Sequence, residues 1–244
     1  MHEVLVVFRR ELKSYFLSPI AYVFGVLMLS MLLYYAADVT LVDGSQASAE
    51  NLFRLLPSIL LYFLPGLTMR LWAEERKLGT LELLMTFPVT IGQLVLGKFS
   101  ASLVYLGCVL LLTLGLPLTL AAYGPLDWTP VLASYLASVL FTGSFLAVGM
   151  FWSSLTRDQI VAMLLSLVSL FVLYNIGDPA KVEAAADWLP WWLVDVISAI
   201  SPYRYFQSVA RGVLDTRDFV YFACFCGLFL YANALVLHGR RQKG

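Results

Sequence analysis

From Ser14 to Ala37 the chain runs 24 residues without a charged side chain. A bilayer core about 30 Å thick is crossed by about 20 apolar helical residues, so a run of this kind selects a membrane-spanning helix. Further charge-free runs cover residues 99–126, 128–156, 159–177 and 219–239. A shorter one, 55–69, lies between Arg54 and Arg70 and contains Pro57 and Pro65. Both arginines can snorkel and the helix can begin nearer Asn51, which makes a second, kinked span. The composition agrees, with 60% apolar and 13% charged residues. Soluble domains run near 45–50% and about 25%, so the excess apolar surface must face lipid. The expected fold is an all-α integral membrane protein. It forms one domain over residues 1–244, with six spans near 16–37, 52–69, 95–126, 128–154, 159–177 and 219–239. No internal repeat divides it.

Charge sets the direction of the spans. With six spans and the N-terminus inside, 11 of the 16 basic residues lie on the cytoplasmic side, as the positive-inside rule favours. Residues 188–203 are also apolar but carry Asp195, Pro190 and Pro202, with Trp188, Trp191 and Trp192 at one end. They read as an interfacial or shallow re-entrant element, because a seventh span would put Arg240, Arg241 and Lys243 outside. The first apolar run is too long for a cleavable signal, and residues 35–37 lack its small-residue pattern. Helical spacing over residues 3–16 gathers Val4, Leu5, Phe8, Leu12 and Tyr15 on one side, with Arg9, Arg10 and Lys13 on the other. This predicts an amphipathic helix on the inner membrane surface.

The apolar cores hold no Asp, Glu, Lys, Arg or His, the groups that ion-coupled transporters use as relays. Ser134, Ser138 and Thr142 recur every four residues, a pattern of small side chains that lets helices approach closely. Cys108, Cys224 and Cys226 read as reduced packing residues. Catalysis is not expected. Both histidines, His2 and His238, fall at the cytoplasmic face, where neither could activate Ser144. Residues 92–98 match seven positions of a phosphate-binding loop, but the eighth is Phe99 where Ser or Thr must hold magnesium. They read instead as a helix start capped by Thr90, with Lys98 at the headgroup level. Net charge is zero, so nucleic acid is not a partner.

The longest inner connection is RLWAEERKLGTLELLMTFP, residues 70–88. Its periodicity turns Leu71, Trp72, Leu78, Leu81, Leu84 and Met85 toward the bilayer or neighbouring helices. Glu75, Gly79, Glu82 and Thr86 form the opposite, exposed stripe. Gly79 can end one helix, Thr80 can cap the next, and Pro88 ends that one. A solvated interfacial helix and a surface for a cytoplasmic partner fit this pattern equally.

LPGLTMR at 64–70, AEERKLGTLELL at 73–84, Phe87 with Pro88, and Gly97 with Lys98 resemble the permease subunits of ABC type-two exporters. FLSPI at 16–20, ISPYRYF at 200–206 and ARGVLDTRD at 210–218 are similar to the branch named after the gliding-motility permease. The resemblance covers nearly the whole chain and implies a dimeric six-span permease of the bacterial inner membrane, with both termini cytoplasmic. ATP and magnesium would bind in separate cytoplasmic ABC ATPase subunits, leaving this chain without a cofactor. The second membrane subunit would be another copy or a relative with an outer domain. Glu74, Glu75, Arg76, Gly79, Thr80 and Glu82 carry over as ATPase-coupling residues, and Arg157 and Asp158 belong to a second, smaller contact in the 153–159 turn. Arg9, Arg10 and Lys13 mark the interfacial helix. Short outer helices in 178–218 would cap the exit, with Trp188, Trp191, Trp192 and Pro202 in this gate region. Alternatives are a non-transporting scaffold or mechanotransmitter driven by the same ATPase, and a uniporter or channel. The resemblance does not specify the cargo.

Overall fold

The computed structural model describes residues 2–42, 50–81, 89–123, 126–186, 188, 190–211 and 215–241. These form helices joined by short turns: α1 (His2–Leu17), α2 (Pro19–Val42), α3 (Glu50–Thr68), α4 (Arg70–Lys77), α5 (Ile91–Leu112), α6 (Gly115–Tyr123), α7 (Trp128–Leu155), α8 (Gln159–Asn175), α9 (Pro179–Ala186), α10 (Trp191–Ala199), α11 (Pro202–Ala210) and α12 (Thr216–Arg241). Among the described residues, five stretches are long and apolar enough to cross a membrane: Pro19–Asp38, Leu52–Lys77, Ile91–Ala122, Trp128–Leu155 and Thr216–Gly239. α8 is apolar but only 17 residues long. The last eight residues of the second stretch form α4 and carry Arg70, Glu74, Glu75, Arg76 and Lys77. So many charges belong at the membrane surface, not in its core.

α7 is the axis of the molecule. Every residue from Phe141 to Met150 is buried, with α3, α5, α8, α11 and α12 packed around it. The expected small-residue stripe lies inside this packing. Ser138 donates to the Ser134 carbonyl and Thr142 to the Ser138 carbonyl, both at 2.6 Å, so these hydroxyls are satisfied by their own helix. α3 continues through Pro57 and Pro65. The third expected span does not run unbroken. Thr113 and Leu114 separate α5 from α6, because Pro117 has no N–H to give the Thr113 carbonyl and its ring crowds that turn. The chain tightens there, with the Leu116 amide bonding the Thr113 carbonyl and the Thr113 hydroxyl 2.8 Å from the Tyr135 hydroxyl.

The helical face assigned to α1 needs correcting. Its apolar side lies against α5 rather than on a bare membrane surface. Val7 is buried, and Gly97 opposite leaves no room for a side chain, since a Cβ there would fall 2.7 Å from Val7. Tyr15 stacks on Tyr105 with ring centroids 5.0 Å apart and hydrogen-bonds Ser102. Leu5, expected on the covered side, is exposed; Arg9, Arg10 and Lys13 are exposed as expected.

Residues 188–203 divide between α10 and α11. Ser201 makes the break: its hydroxyl caps the Tyr203 amide and donates to the Leu173 carbonyl on α8. Pro202 opens α11 and is buried, whereas Trp188 and Trp192 are exposed; Trp191 is the first residue of α10. Phe206 on α11 meets Phe141 of α7, centroids 5.2 Å apart. At 1.5 Å per residue that contact lies about 20 Å along α7 from its first turn.

Candidate functional site

A cluster of charged groups forms where α4 meets α1, α5 and the turn between α7 and α8. α4 begins one residue after α3, and its first amides need acceptors that the helix cannot supply. Ser153, near the end of α7, supplies one. Its hydroxyl oxygen accepts from the Trp72 amide at 3.0 Å and the Ala73 amide at 3.2 Å, and its proton goes to the Met69 carbonyl at 3.0 Å. Trp72 and Ala73 are fully buried. α4 is thereby fastened to the central helix at its first turn.

Its side chains extend the attachment in three directions. Glu74 takes both oxygens to Arg70, at 2.6 and 2.9 Å. Arg76 donates to the Thr156 carbonyl at 2.6 Å and to the Ser154 carbonyl. Glu75 reaches Lys98 on α5 at 2.8 Å, and Lys98 also pairs with Glu11 on α1 at 3.1 Å. The Lys98 side chain is 2% exposed and its ammonium lies 5.1 Å from the centre of the Trp72 ring. One lysine therefore holds α1, α4 and α5 together. An ammonium so deeply enclosed is sustained by carboxylates on both sides, since an unpaired buried charge is costly. Glu75 Oε2 is enclosed as well and has no hydrogen-bond partner among the described residues.

After Lys77 the helix stops. Leu78 amide bonds the Glu74 carbonyl, Gly79 takes φ +71°, a conformation that side-chain-bearing residues rarely adopt, and the chain turns back into helix at Thr80. The Thr80 hydroxyl donates to the Glu75 carbonyl across this turn. Thr80 therefore bridges the two segments; the amides that its expected cap of the following helix would receive lie outside the described residues. Glu82 lies outside the described residues, as does the remainder of the segment to Pro88.

The geometry separates the expected coupling residues into two groups. Glu74, Glu75 and Arg76 are engaged inside the protein. Glu75 was expected on an exposed stripe, but its side chain is 14% exposed because Lys98 draws it inward. Lys77, Leu78 and Gly79 are exposed, Leu78 at 68%. Arg157 and Asp158 are exposed too, and Asp158 caps α8 through the Ile160 amide at 2.8 Å. Arg76 links the two regions expected to make contacts, because it grips the carbonyls of Ser154 and Thr156 just before Arg157. Arg9, Arg10 and Lys13 border this region on α1, while Trp188, Trp191, Trp192 and Pro202 belong to other elements between α8 and α12.

Lys98 and Glu11 were missed as parts of this site, and Ser153, within the expected 153–159 turn, was not foreseen as the anchor of α4. Lys98 was expected at the headgroup level, at the start of a helix. That helix start is as expected: residues 92–98 are helical, and Thr90 and Gln93 form a reciprocal capping box. The lysine nevertheless points inward. Two signals marked the pair. Glu11 falls on the apolar side of α1 beside Leu12, and Lys98 shares the face of α5 that carries Leu94, Val95, Ala101 and Ser102, all buried.

Among family descriptions, "ABC-2 family transporter protein" matches residues 6–238 of the chain. No curated protein matches it.

Proposed function

The chain belongs to the ABC-2 family of transporter proteins, and from that premise we propose that it is the permease subunit of an ATP-driven exporter in a bacterial inner membrane. The family makes it a multi-pass membrane component that works with an ABC ATPase and is not itself catalytic. The finer reading counts α8 as a sixth span, since 17 residues reach about 26 Å. It places both termini inside by the positive-inside rule. It takes residues 1–244 as one permease domain, a second copy or related subunit as its partner, and the gliding-motility branch as the part of the family that it resembles. α9, α10 and α11 then form the outer re-entrant cap, with the tryptophans and Pro202 in its gate region.

The observation that carries this reading is the attachment of α4. A charged helix of eight residues is bound to α1, α5 and α7 by buried polar contacts, yet leaves its final residue Lys77, the Leu78–Gly79 turn after it and the neighbouring 157–158 turn exposed. Such an element transmits a push. Force on Leu78 or Arg157 reaches α7 through Ser153 and Arg76, and reaches α1 and α5 through Lys98. Glu74, Glu75, Arg76, Gly79 and Thr80 then shape and brace the lever, while its exposed neighbours and Arg157 and Asp158 meet the ATPase. ATP and magnesium belong to that partner.

Equilibrium ATP binding and detergent extraction test the proposal together. The purified chain should bind no ATP saturably, and a tagged copy taken from its native membranes should bring down an ATP-binding-cassette ATPase and its hydrolytic activity. Saturable nucleotide binding by the chain alone, lost in Lys98→Ala, contradicts it.

A further inference from the structure

A cleft of about 310 Å³ opens between α1, the start of α2 and the junction of α3 with α4. Its two ends differ in chemistry. Ile20, Ala21, Phe24 and Leu67 line one end, on helices that cross the membrane. Arg10, Ser14, Ser18 and Arg70 line the other. Ser18 marks the break between α1 and α2, and Met69 the break between α3 and α4. Arg70 Nη1 lies 3.4 Å from Ser18 Oγ, so both breaks sit at one level. That is the level where spans emerge and charge begins, the depth of the inner headgroups.

We propose that this cleft binds one phospholipid of the inner leaflet, with a zwitterionic headgroup carrying a primary ammonium. The polar end holds three cations, Arg10, Arg70 and Lys98, and three acids, Glu11, Glu74 and Glu75. A neutral lining with both signs matches a headgroup with both signs, and gives an anionic lipid no net attraction. A guanidinium has five N–H donors, of which Glu74 occupies two on Arg70. Ser18 takes a third at 3.4 Å, and the two left over, with the Ser14 hydroxyl and Arg10, suit a phosphate. Carboxylates on the same walls accept from an ammonium, and a quaternary ammonium has no N–H to offer them. The acyl chain follows Ala21, Phe24 and Leu67 into the membrane, where burial of methylenes adds to the binding. The site needs no ATPase, so it stands or falls separately from the transport reading.

Photo-crosslinking in lipid nanodiscs tests it. The full chain is placed in phosphatidylglycerol and phosphatidylcholine with a trace of phosphatidylethanolamine bearing a photoreactive acyl chain. Label should concentrate on peptides containing residues 20–24 and 66–71, and unlabelled phosphatidylethanolamine should compete. Arg10→Glu, an exposed position that leaves the fold alone, should cut labelling about tenfold, the worth of one lost charge-assisted contact. Ser18→Trp, which fills the cleft, should abolish it. Label spread over α2 and α12 and indifferent to both variants overturns the site. Equal competition by more phosphatidylglycerol or phosphatidylcholine overturns the headgroup assignment. Displacement by soluble phosphoethanolamine shows a free phosphate compound as the ligand and overturns the lipid.

Discussion

Lys98 ties three helices together through one side chain. It is buried with Glu11 on one side and Glu75 on the other, and each acid belongs to a different helix. Removing one member of a buried ionic group costs about 3–5 kcal/mol, because the remaining charges stay enclosed. Lys98→Met should therefore lower the thermal unfolding midpoint of the purified chain markedly. Adding Glu11→Gln and Glu75→Gln should recover much of the loss, since it removes the stranded charges. A Lys98→Met protein that melts with the parent would show that the cluster is not a brace. By contrast, the pair of Arg70 with Glu74 is about one third exposed, and Glu74→Gln should change stability by only about 0–1 kcal/mol. The sequence pattern grouped the charges of 70–77 into one segment, and the structure holds them on one helix. The pattern could not say which pointed inward, because Lys98 and Glu11 come from distant parts of the chain and only tertiary packing brings them to Glu75.

The long helices were the most legible elements. Charge-free runs locate them directly, and α7, expected at 128–154, spans Trp128–Leu155. Breaks were harder to read. The interruption at Thr113 depends on Pro117 four residues later and on a tyrosine of another helix, Tyr135. The covered face of α1 was also misassigned, since an apolar stripe does not reveal whether lipid or α5 covers it. Two substitutions test the element packing. Gly97→Val inserts a side chain where Val7 already sits, and overpacking of this kind costs about 1–3 kcal/mol. α1 should then loosen, and trypsin should cleave faster at Arg9, Arg10 and Lys13. Unchanged cleavage would mean that α1 is held by other contacts. Ser153→Ala removes the acceptor shared by the Trp72 and Ala73 amides, and a buried unsatisfied donor costs about 1–3 kcal/mol. Hydrogen exchange at those two amides should accelerate in the variant, and protection equal to the parent's would contradict the attachment.

At the scale of the whole molecule, the composition alone required a membrane, and the family match agrees. The direction of the spans remains a proposal that labelling can decide. A cysteine at Ala184, on α9, should react with an impermeant reagent added outside, and one at Lys77 only after the inner face is opened. The opposite pattern would invert the topology. The cargo was not legible, because apolar and aromatic side chains that line a path and those that merely pack are the same residues. The central claim is that the exposed end of α4 and the turn after α7 receive the stroke of a separate ATPase. It is tested most directly by measuring how much ATPase copurifies with the parent chain and with Leu78→Asp, Arg157→Glu. Both positions are exposed, so the variant should fold and insert as before. The account predicts recovery of the ATPase with the parent and its loss from the variant, at equal membrane levels of the two chains. Equal recovery with both would contradict it.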